Sequence, residues 1–189
     1  MKKIFRLLSF CFLLMFAGCA TSLNPLYTEQ DLIFEPFLLG VWTEKDSAET
    51  WEITSANGKN YKIVYTDETG RKGEFVAHLL KIENRMFLDL TPATPKLAQN
   101  DFYREHFLPA HSFALLTRTE STVQMSFLEQ RWLKKFLAEN PSAVRHAETG
   151  EGVVLTASPK ELQKFLLLNL NTEGAFIKPL EMRRKNKGK

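Results

Sequence analysis

From residue 39 to residue 130 the chain is a succession of short β-branched and aromatic runs, each closed by turn-forming residues: 39–44, 49–54, 61–66, 74–82, 86–91, 112–119 and 122–128. The pattern predicts seven strands. Trp51 and Ile53 alternate with Glu52 and Thr54, and Val123, Met125 and Phe127 alternate with Gln124 and Ser126, the period of a sheet with one buried and one wet face. Asn57-Gly58, Thr69-Gly70, Glu83-Asn84 and Glu120-Ser121 separate neighbouring runs, and connections that short allow only antiparallel pairing of consecutive strands. In the run 74–82, Phe75, Ala77 and Leu79 oppose Val76, Leu80 and Ile82, so both faces are apolar and a helix is expected over the second.

The connection 91–110 is too long for a hairpin and is punctuated by Pro92, Pro95 and Pro109; its middle, with Phe102, Tyr103 and Phe107, predicts a lid or an extra short helix. Trp132/Phe136 and Leu133/Leu137 at i,i+4 ahead of Asn140-Pro141 predict a helix over 130–140. A hairpin of 144–146 with 153–157 follows, and Ser158-Pro159-Lys160-Glu161 is a capping box that opens a helix over 159–169. A last strand is expected within 175–182, demoted to an edge by Pro179. Ahead of the strands, Leu23, Leu26, Tyr27, Leu32, Ile33, Phe34, Phe37 and Leu38 predict that 19–38 packs on the body as a short connection, with a short helix from Thr28, where Asp31 stands at the capping interval. The expected fold is mainly β (α+β): an up-and-down antiparallel β-barrel or strongly curved meander sheet with two C-terminal helices, one domain over 39–182.

Charge and composition narrow the picture. Lys2, Lys3 and Arg6 precede an uncharged apolar stretch at 7–17, too short to span a bilayer, and together they read as an export signal over 1–18. Without those three, the 25 basic residues fall to 22, equal to the 22 acidic ones. Five of the remaining basic groups crowd into 183–189, which reads as a basic tail: a solvated end, or a contact with anionic lipid. The body is therefore acidic, which argues against nucleic-acid binding. Of the two cysteines, Cys11 leaves with the signal, so Cys19 is the one thiol of the mature chain, and disulfides and cysteine metal sites are excluded.

Phe16-Ala17-Gly18-Cys19 resembles the lipobox of bacterial lipoproteins, with Phe16 where Leu is usual. The resemblance implies that Cys19 is lipidated and becomes the N-terminus, that the membrane is reached through that lipid, and, with Ala20 instead of Asp after the cysteine, that the protein is held at the outer membrane facing the periplasm. The whole chain resembles an uncharacterised group of such lipoproteins. Phe37-Leu38-Leu39-Gly40-Val41-Trp42 resembles the opening of a lipocalin-type barrel, in which Gly40 allows close chain approach and Trp42 plugs one end. That family also implies an Arg from a late strand over the Trp, for which Arg118 and Arg145 are available.

His78, His106, His111 and His146 have no zinc-site spacing, and no nucleophile elbow, phosphate loop or dinucleotide fingerprint occurs, so neither metal, cofactor nor enzymatic reaction is indicated. His78 reads as a core histidine; Asp101, Glu105, His106 and His111 read as solvated loop residues unless a histidine meets a carboxylate in a cleft. Two functions stay open. One is a lipid-anchored barrel that holds an apolar or amphipathic small ligand, with Trp42, Phe102, Tyr103 and Phe107 as its floor and mouth. The other is a structural or assembly role with a packed core and an envelope protein as partner.

Overall fold

The computed structural model describes residues 18–94, 101–150 and 152–185, with Tyr103 and Arg104 as backbone alone. In chain order the elements are β1 (Thr21–Ser22), β2 (Leu32–Ile33), a 3-10 turn (Pro36–Leu38), β3 (Gly40–Glu44), β4 (Thr50–Ser55), β5 (Tyr61–Thr66), β6 (Lys72–Ile82), β7 (Arg85–Pro92), α1 (Asp101–Glu105), β8 (His111–Arg118), β9 (Thr122–Phe127), α2 (Gln130–Glu139), β10 (His146–Thr149), β11 (Gly152–Leu155), α3 (Pro159–Leu168) and β12 (Leu180–Arg184).

The seven expected strands are β3 to β9, and each pairs antiparallel with the next. The ring is completed by β12, which sits between β9 and β3 through Met182↔Val123 and Met182↔Glu44. The result is a closed eight-stranded antiparallel barrel. Here the sequence reading needs two corrections. The last strand is no edge: Pro179 stands just before it, so its missing N–H costs the ladder nothing, and β12 is paired on both sides. Nor does the tail begin at 183, because Arg183 and Arg184 are strand residues opposite Thr43 and Trp42.

Long strands overhang short ones, and the N-terminal segment seals both gaps. Beyond Ala77, where β5 ends, β2 takes the edge of β6. Beyond Ala114, where β9 ends, β1 takes the edge of β8, with the β10–β11 hairpin alongside. Between these two strands no helix forms at Thr28. The Asp31 carboxylate instead accepts both the amide (2.9 Å) and the hydroxyl (2.6 Å) of Thr28, which closes a tight turn in place of a helical one. The same carboxylate accepts from Gln163 (2.7 Å) and pairs with Lys160 (3.2 Å), and so pins the segment to α3.

There are two apolar cores, one on each side of the β6–β7–β8 wall. Leu79, Leu88 and Ala114 point into the barrel. Leu80, Ile82, Phe87 and Phe113 point outward, where Leu133 and Leu137 of α2 and Leu162, Phe165 and Leu166 of α3 cover them, as the two-faced pattern of 74–82 requires. Both helices start on a carboxylate: Glu129 accepts from the Trp132 amide (2.5 Å), and Glu161 accepts from the Ser158 amide (2.9 Å).

Two outcomes follow. A chain ending at Met182 loses the pairs of Arg183 and Arg184 with Thr43 and Trp42 and should melt about 10 °C lower, a loss of about 3 kcal/mol, whereas one ending at Lys185 should melt with the full chain; circular dichroism on heating separates them. The second concerns Asp31. Burial raises its pKa, but the hydrogen bonds from Thr28, Gln163 and Lys160 outweigh burial and hold it down to about 2. A carboxyl held down by folding stabilises the native state fully above its unfolded pKa and loses that contribution as pH falls. Asp31→Asn should therefore cost about 1 kcal/mol at neutral pH, and the gap in urea midpoints should close between pH 4 and pH 2.

Candidate functional site

One end of the barrel is built around Trp42. Its indole is 4% exposed and its Nε1 donates to the Leu38 carbonyl (2.8 Å). The Arg184 guanidinium lies over the ring, 4.7 Å from its centre, and donates to the carbonyls of Leu39 (2.6 Å) and Phe37 (2.7 Å). The 3-10 turn is thus clamped across the barrel end, with the buried Leu38 as a stopper. Gly40 is needed here. At φ +134° a Cβ would stand 2.7 Å from the Arg184 guanidinium, on the path this side chain takes to the turn.

The expected arginine over the Trp is therefore present, but it is neither Arg118 nor Arg145. Arg118 lies over Phe37, 4.3 Å from the ring centre, and Arg145 pairs with Glu161 at the start of α3 (2.6 Å). Sequence reading missed Arg184 because it sits in a basic run. The signal that finds it is the period-two series Leu180, Met182, Arg184, one face of a short strand.

The interior above Trp42 is filled. Tyr61, Ile63, Ala77, Leu79 and Ala114 are wholly buried, which leaves no water-sized space beside them. The Tyr61 hydroxyl accepts from the Glu35 amide (2.7 Å), and its ring stacks on Phe34. The other expected ligand residues lie beyond this column, on the connection that enters β8 at the end away from Arg118. Phe102 is 73% exposed and its ring meets His106, while Phe107 is half-buried; the Tyr103 side chain lies outside the described residues. Floor and mouth are thus at opposite ends and are not joined by a hollow.

One histidine does meet a carboxylate. Asp89, 1% exposed on the outer face of β7, accepts from the Leu26 amide (2.7 Å) and lies 2.6 Å from His111 Nδ1. His78 stands opposite Asp89 across the β6–β7 ladder under the Tyr27 ring, and burial pushes its pKa down against the pull of Asp89. This cluster fastens the N-terminal segment to the barrel wall, and no hydroxyl or thiol nucleophile is hydrogen-bonded to His111 among the described residues. No group of three His, Cys, Asp or Glu placed to hold a metal occurs among the described residues.

Cys19 is half-buried where β9 parts from β8. It bridges Glu129, Ala20 donates to the Leu128 carbonyl (2.8 Å), and Gln130 donates to the Gly18 carbonyl (3.0 Å). Burial, reinforced by Glu129, pushes its thiol pKa up, so the folded chain holds little thiolate. No helix among the described residues is long and apolar enough to cross a membrane. Comparison with protein-family models, characterised proteins and solved structures finds no match for the chain.

A filled barrel responds to truncation differently from a hollow one. Leu79→Ala should cost about 2–5 kcal/mol in urea unfolding, because a rigid cavity replaces the lost side chain. A cost under about 1 kcal/mol would place Leu79 against open space.

Proposed function

We propose that the protein is a lipid-anchored lipoprotein of the bacterial cell envelope, held at the outer membrane on its periplasmic side, whose barrel acts as a rigid structural or assembly body. The anchor rests on the order of features at the N-terminus: basic residues, the apolar stretch 7–17, then Ala17-Gly18-Cys19. The place of Cys19 supports it. Only Ala20 separates Cys19 from β1, so acyl chains on that residue hold the body against the bilayer without a tether.

The packed interior favours a structural role over carriage of an apolar ligand inside the barrel. A lipocalin-type carrier needs a void, and the column from Trp42 to Tyr61 offers none. With the barrel interior packed among the described residues, the fold acts through its outer surface, and the partner is another envelope component.

Cys19→Ser should abolish incorporation of labelled palmitate and move the protein out of the lipid-modified membrane pool, either as an uncleaved precursor or as released protein. Unchanged mass and unchanged fractionation would remove the anchor. Crosslinking in cells followed by mass spectrometry then reads the partner, with co-purifying lipid as the result that restores the carrier.

A further inference from the structure

Outside the Trp42 seal, a cleft of about 1010 Å³ opens between the β8–β9 turn and the end of β12. Three arginines line it, Arg118, Arg183 and Arg184, against one acid, Glu120. Arg183 is paired with Glu181 (3.2 Å). Arg184 is tied to carbonyls and meets no carboxylate among the described residues. The Arg118 side chain has neither an ion pair nor a hydrogen bond among the described residues and lies on the face of Phe37.

Stacking on an aromatic ring uses the face of a guanidinium and leaves its N–H edge free in the plane. Arg118 therefore presents its donors to a cleft that Phe37 also lines, while Arg184 adds positive charge with two of its N–H groups held by the Phe37 and Leu39 carbonyls. The turn beside them is stiff. Thr119 Oγ1 accepts from the amides of Ser121 (3.4 Å) and Thr122 (3.1 Å) and meets the Thr122 hydroxyl (2.8 Å), so the wall that carries Arg118 is held in place.

We infer that this cleft binds a small organic anion, with its carboxylate or phosphate on the free edge of Arg118 and its apolar part against Phe37. A planar fork with five donors and no acceptor is matched by an oxyanion in bidentate contact, and the volume is that of a small-molecule site. The site is separate from the barrel interior, which is full.

The register places it away from the proposed anchor. Arg183 stands opposite Thr122, and Cys19 opposite Glu129, seven residues further along the same extended chain, about 23 Å at the rise of a strand. Arg118 thus lies far along the barrel from the residue that would carry the lipid, and we take the ligand to come from solution. That statement of source rests on the anchor at Cys19; the binding does not, so the Cys19→Ser protein should bind equally well, and failure of either claim is seen on its own.

The test titrates full-length protein in a neutral detergent with inorganic phosphate, phenyl phosphate and phenylacetate, followed by calorimetry, and the Cys19→Ser protein, without detergent, with phosphatidylglycerol vesicles followed by co-sedimentation. Phenyl phosphate or phenylacetate should bind more tightly than inorganic phosphate. Arg118→Gln should weaken them at least tenfold, Arg118→Lys by less, and Glu120→Gln should strengthen them, with melting temperatures unchanged in all three. Binding to vesicles alone would show a diffuse surface charge and overturn the site. So would the absence of binding up to roughly 1 mM, or equal affinity in Arg118→Gln.

Discussion

The guanidinium of Arg184 joins the two ends of the folded body. It rests on Trp42 of the first barrel strand, belongs to the last, and holds the two carbonyls of the turn that leads into the first. Remove it and three things part together: the stopper Leu38, the Trp42 ring and the β12–β3 seam. The arrangement is economical because the charge is satisfied by neutral dipoles and a π-face. No buried carboxylate has to be desolvated to hold it.

The rest of the architecture follows from a wall that must be dry on both sides. Strands β6, β7 and β8 are longer than β3 and β4, so they overhang the ring and carry apolar side chains inward and outward. The overhang exposes ladder edges, which β1 and β2 occupy, and apolar surface, which α2 and α3 cover. Asp89 and Asp31 then fix the N-terminal segment: Asp89 on β7 accepts its Leu26 amide, and Asp31 within it accepts from Gln163 and Lys160 of α3. The helices are thus the lid of the second core, which shares its floor with the first.

How far this was legible depended on the range of the interactions. Strands β3 to β9 and the antiparallel order were readable because alternation and two-residue turns are local. The start of α3 was readable because Ser158, Pro159 and Glu161 are a local device. Closure was not, because nothing in the composition of 180–184 points to Trp42, and three of its five residues are charged. The turn at Thr28 was misread because the Thr-x-x-Asp spacing serves a capping box and a side-chain-closed turn alike, and tertiary contacts from Gln163 and Lys160 favour the second. At the candidate site, Gly40 and Trp42 were legible and Arg184 was hidden. The filling of the barrel lay beyond any pattern, since the same inward residues line a void or a solid depending on their facing partners.

The place of the closing strand at the far end of the chain also governs when the molecule becomes a barrel. Until 180–184 has been made, β3 and β9 are both open edges, and the sheet is a curled ribbon that is free to unpair. Contacts between the first and last strands are the most distant the chain can make, and they are the slowest to form. Once β12 is in place, both of those edges are paired and the ring is closed. Because the closing strand follows the other seven, the order of events is a property of the topology.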